Sequence, residues 1–158
     1  MRTLSLATVV LGTLVAGLGF VAAAPGDKDK KDEKGDLKKF EGNWVFAAWE
    51  SGGEALPAEA RETARLSIKG DKYTFEFGGM TEEGTIKLDA GKKPAAIDLS
   101  ITDGQDKGKN QVGIYKIDGD TITICLAAPG APDRPIEFKS TEENGFILAT
   151  IKKAKKDD

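Results

Sequence analysis

The sequence predicts an all-β chain whose strands close into a small antiparallel up-and-down β-barrel, with one short helix after the first strand. Three observations carry this. From Leu37 onward the apolar residues recur with period two, in runs of strand length, rather than at the 3.6-residue spacing of helices. Gly, Asp and Asn punctuate most of the runs, which is the chemistry of hairpin turns. Gly42-Asn43-Trp44 stands at the mouth of the series, and hairpin after hairpin behind such an opening suggests a sheet that closes on itself. A tightly curved sandwich is the alternative that the pattern permits.

Residues 43–50 alternate Trp44, Phe46 and Ala48 against Val45, Ala47 and Trp49. Gly52-Gly53 then breaks the strand, and residues 57–64 (PAEARETA) form the one expected helix, with Pro57 at its start. Residues 65–69 place Leu66 and Ile68 on one face, and Gly70-Asp71 turns the chain. Residues 72–77 set Tyr73, Phe75 and Phe77 against Lys72, Thr74 and Glu76. After Gly78-Gly79 come residues 83–89, with Ile86 and Leu88 inward, and residues 96–102, with Ile97, Leu99 and Ile101 inward. A polar loop at 103–109 leads to strands at 110–117 and 120–126. A Pro/Ala/Gly loop at 127–135 precedes short strands at 136–139 and 146–151. If Asp118-Gly119 is a two-residue type I′ loop, Ile117 pairs with Asp120, Tyr115 with Ile122 and Gly113 with Ile124. Tyr115, Ile122, Ile124 and Leu126 then share the inner face, and Cys125 lies outside with Val112, Ile114 and Thr123. A one-residue slip would reverse these faces.

The first 23 residues read as a secretory signal peptide. Met1-Arg2 is a basic start, residues 4–21 are almost wholly apolar, and Val21-Ala22-Ala23-Ala24 supplies small residues for cleavage. Cleavage after Ala23 is favoured, because Pro25 would obstruct a cut after Ala24. The rival is an uncleaved anchor, since the apolar run approaches the ~20 residues of a membrane span. After cleavage no stable membrane span is expected, and the location is periplasmic or extracellular. No cysteine lies near the cleavage site, which excludes a lipid-anchored lipoprotein. Residues 24–36 are charged and lack an apolar anchor, so they read as a disordered linker to a domain at 37–153, and 154–158 as a frayed tail.

Cys125 is the only cysteine, so no intrachain disulfide is possible and the fold must rest on its core. The net charge of −3 falls by one more unit once Arg2 is removed. A mildly acidic chain without a basic stripe is a poor binder of nucleic acid. The sequence contains no histidine, which removes the usual general base, the Ser-His arrangements and imidazole metal ligands. Asp103-Gly104-Gln105-Asp106 lacks the closing acid and spacing of a calcium loop, so a solvated turn is favoured. Glu82-Glu83 and Glu142-Glu143 read as solvated charges at strand or turn edges. No phosphate loop, cofactor motif or metal set stands out, and no enzyme is expected.

Residues 37–44 (LKKFEGNW) are similar to the start of lipocalin and fatty-acid-binding barrels, where Gly-x-Trp begins the first strand. More of the chain, residues 37–153, resembles a family of small exported lipocalin-like domains of unknown function found in planctomycete bacteria. The matching strings are Gly42-Asn43-Trp44, Lys92-Lys93-Pro94-Ala95-Ala96-Ile97-Asp98-Leu99, Gly108-Lys109 and Gly113-Ile114-Tyr115. Asp118-Gly119-Asp120, Cys125, and Arg134-Pro135 with Phe138 complete the set. The resemblance implies a calycin-like barrel closed by Gly42 and Trp44, with the indole beneath Leu37 and Phe40. Lipocalins also carry a Thr-Asp-Tyr turn, from which Thr102-Asp103-Gly104 departs, and a late Arg over the Trp, for which only Lys152 or Lys153 is at hand.

Two functional readings follow. One is a binding module holding a small apolar molecule in the barrel, with Phe75, Phe77, Tyr115 and Ile124 as candidate cavity walls. Gly113, Ala48 and Gly84 would leave the space. The other is a filled barrel acting as an interaction or envelope-associated domain. An eight-stranded barrel is just wide enough for either.

Overall fold

The structure, a computed structural model, describes residues 27–155. The expected signal peptide and its cleavage site lie outside the described residues. Among the described residues nine strands form one antiparallel sheet: β1 (Gly42–Ser51), β2 (Glu54–Ala55), β3 (Arg65–Lys69), β4 (Lys72–Phe77), β5 (Met80–Asp89), β6 (Ala95–Asp103), β7 (Asn110–Asp118), β8 (Thr121–Leu126) and β9 (Ile147–Lys153). Each strand from β3 to β8 pairs with its successor, and β1 pairs with both β3 and β9. The ring is therefore a closed up-and-down barrel of eight strands, and β2 is a two-residue addition to the end of β1. Closure removes the open edges that would otherwise template pairing with another chain. The expected helix is present as α2 (Ala58–Arg61), entered through Pro57.

A second helix, α1 (Asp27–Phe40), overlaps the stretch expected as a linker. Composition alone condemns residues 27–36 to disorder, yet Lys and Glu are good helix formers. The apolar anchor lies just beyond the charged run: Phe40 is fully buried and Leu37 packs on the core. Asp36 accepts the Tyr115 hydroxyl at 2.7 Å and pairs with Lys39 at 2.9 Å. Lys38 and Lys39 in the last turn suit the negative end of the helix dipole.

This helix seals one end of the barrel. Trp44, 1% exposed, donates its indole N–H to the Phe40 carbonyl at 2.6 Å. Lys153, at the end of β9, sets its ammonium 4.2 Å from the Trp44 ring centroid and donates to the Glu41 carbonyl. Lys153 thus covers the indole through a cation–π contact. Gly42 has φ +124°, and a Cβ there would lie 2.8 Å from the Lys153 nitrogen. Backbone conformation and the approach of Lys153 both demand glycine.

The β7–β8 loop is Gly119-Asp120, with Asp118 paired to Thr121, rather than the expected Asp118-Gly119. Gly119 takes a loop position at φ +59°, where a side chain would be strained. Tyr115 consequently pairs with Ile124 instead of Ile122, and Gly113 with Leu126. The shift moves each partner by two residues, so the inner and outer faces stay as expected.

Outside β6, β7 and β8, the row Ala96–Ile114–Cys125 is buried. Residues 127–146 run over this face as an irregular strap. Arg134 fastens it, donating to the carbonyls of Ile97 (3.1 Å) and Gly113 (2.7 Å) and pairing with Asp98 at 2.6 Å. The strand expected at 136–139 is absent from this segment. Pro129, Pro132 and Pro135 remove ladder donors, and the ring of Pro135 is buried instead. Cys125 is fully buried, its Sγ 3.8 Å from the Lys139 carbonyl, and burial is the main cause pushing its thiol pKa up. That environment holds the thiol in its unreactive form.

Candidate ligand cavity

Strand register decides which side chains meet inside the barrel. One lateral row is Leu66–Phe75–Glu82, from β3, β4 and β5; the next is Ile68–Tyr73–Gly84. On the opposite wall Ala95, Tyr115, Ile124, Ala149 and Trp49 form a row across β6, β7, β8, β9 and β1. Between these walls lies a cavity of about 300 Å³. Phe40 and Ile151 line it toward the α1 end, Phe75, Ile97 and Ile124 form its sides, and Trp49, Pro129 and Asp106 line it toward the other end.

Of the expected walls, Phe75 and Ile124 line this cavity and Phe77 and Tyr115 do not. Phe77 is half-buried at the rim, its ring 5.3 Å from Trp49 and 6.3 Å from Phe75. Strand β4 carries its alternating aromatics upward past the cavity, so the last of the three reaches the barrel mouth. Tyr115 faces inward but sits at the sealed end, 2% exposed, edge-on to Phe40 and bonded to Asp36. Gly42 and Trp44 lie at the α1 end, where Trp44 is buried against Phe40.

The glycines do not create the space. A Cβ on Gly84 would collide with the Ser100 carbonyl and lie 2.6 Å from the Tyr73 ring, and one on Gly113 would lie 2.6 Å from Leu126. Tyr73 and Leu126 lean over these positions and fill them. Ala48 is exposed, because a bulge between Phe46 and Ala48 turns the end of β1 and brings Trp49 inward in its place. Trp49 joins Phe46 (5.0 Å) and Phe75 (5.6 Å) in an aromatic cluster.

The polar groups of the lining are few. The buried Tyr73 hydroxyl donates to Glu82 at 2.9 Å; desolvation first, then the Glu82 contact, pushes its pKa far up and keeps it a phenol. Gln111, also buried, donates from Nε2 to the Ala127 carbonyl at 2.7 Å, and Asp106 accepts from Lys109 at 2.7 Å. Trp49, Glu82 and Gln111 were not among the expected site residues. A signal for Glu82 exists: it shares the parity of Gly84, Ile86 and Leu88, and becomes inward once β5 is begun at Met80. Trp49 has no such signal, because a bulge leaves the alternation unmarked. Among the described residues no three His, Cys, Asp or Glu side chains gather as a metal site.

No family model, curated protein or solved structure matches this chain. Among the described residues no helix is long and apolar enough to cross a membrane.

Proposed function

We propose that the barrel is a binding module for one small apolar molecule, carried by an exported protein. The observation that supports it is the 300 Å³ interior space walled by Phe75, Ile97 and Ile124. Ligand sites begin at about this size and combine apolar walls with a few placed polar groups. At roughly 30 Å³ per water-sized unit, the space suits a molecule of about ten non-hydrogen atoms. Octan-1-ol fits that size, and titrating it calorimetrically into the folded protein should give one saturable site. Ala149→Leu, which adds bulk between Ile124 and Trp49, should weaken binding at least about tenfold while cooperative unfolding persists. Absence of saturable binding in the wild-type protein would leave the filled interaction domain as the reading. Export rests on the leader pattern of residues 1–23. The intact mass of the native protein should begin at Ala24; recovery only from membranes with residues 1–23 retained would contradict it.

A further inference from the structure

The polar end of the ligand follows from the charges around the cavity, given the binding role just proposed. Among the described residues two lining side chains carry charge, Glu82 and Asp106, and neither a lysine nor an arginine lines the space. Asp106 is bound by Lys109. Glu82 is placed differently. Its register partner is Phe75, on the inward face, and its neighbour in the hydrogen-bond network is the neutral, buried hydroxyl of Tyr73. A carboxylate offers about four acceptor positions, and Tyr73 supplies one donor. A second carboxylate brought into this space would meet like charge and no lining cation. An ammonium would gain a charge-assisted hydrogen bond to Glu82, with the aromatic faces of Phe46, Trp49 and Phe75 nearby.

We propose that the cavity selects a short primary alkyl amine in its ammonium form, with the ammonium on Glu82 and the chain among Ile97, Ile124 and Phe40. Octylamine, octan-1-ol and octanoate share one chain and differ in the polar end. Titrated separately into the full chain at pH 7, octylamine should bind about tenfold more tightly than octan-1-ol, and octanoate most weakly. Glu82→Gln keeps an acceptor for Tyr73 and removes the charge, so it should bring the amine to within about threefold of the alcohol measured on the same variant. The comparison in the wild-type chain needs no variant to fold. Octan-1-ol binding with octylamine no tighter would overturn the amine selectivity and leave the cavity. An amine preference that survives in Glu82→Gln would overturn the role of Glu82, assigning the preference to the net negative charge of the protein. Failure of all three to bind would remove the binding role and this inference with it.

Discussion

Trp44→Ala should lower the free energy of unfolding by about 3–5 kcal/mol in denaturant titration. The indole is almost completely buried at the sealed end, and truncation would leave a cavity that the rigid barrel cannot collapse to fill. Two further interactions disappear with it: the N–H bond to the Phe40 carbonyl and the seat of the Lys153 ammonium. Against a typical total of about 5–15 kcal/mol, such a loss is a large fraction of the stability. A change below about 1 kcal/mol would place the indole at the surface and contradict the sealed end.

Phe40→Ala is expected to cost a similar ~3–5 kcal/mol, because its ring is fully buried, packs edge-on at 5.2 Å from Tyr115 and lines the base of the cavity. Its neighbour Lys38 is exposed in the same helix turn, so Lys38→Ala should stay within about 0.5 kcal/mol. This pair tests whether α1 belongs to the domain. Equal, small effects from both substitutions would return α1 to the role of a spacer. The expected inequality would show that the stable unit begins upstream of the first strand.

The barrel was legible because period-two alternation and turn glycines survive in nearly every strand. Residues 65–69 and 72–77 were expected as strands and are β3 and β4 without change. Even the misplaced β7–β8 loop preserved the faces, since its error moved partners by two residues. What the sequence hid has physical causes. The seat of α1 on the barrel rests on a tertiary anchor, Phe40, that lies beyond the charged run. The Phe46/Ala48 bulge exchanged Ala48 for Trp49 on the inner face, and a bulge leaves no mark on composition. Space inside the barrel was expected from glycines, yet backbone proximity and the leaning of Tyr73 and Leu126 set where the cavity lies. Glu82 was read as a surface charge because its strand was begun three residues late.

The interior site is tested most directly by nuclear magnetic resonance of isoleucine δ-methyl groups during titration with octan-1-ol. Ile97 and Ile124 line the cavity, Ile114 is buried on the outer face under the strap, and Ile136 is 84% exposed. The account predicts that Ile97 and Ile124 shift together and saturate at one equivalent bound, while Ile114 and Ile136 stay in place. Shifts confined to Ile136, or none at Ile97 and Ile124 at saturating alcohol, would contradict an occupied interior.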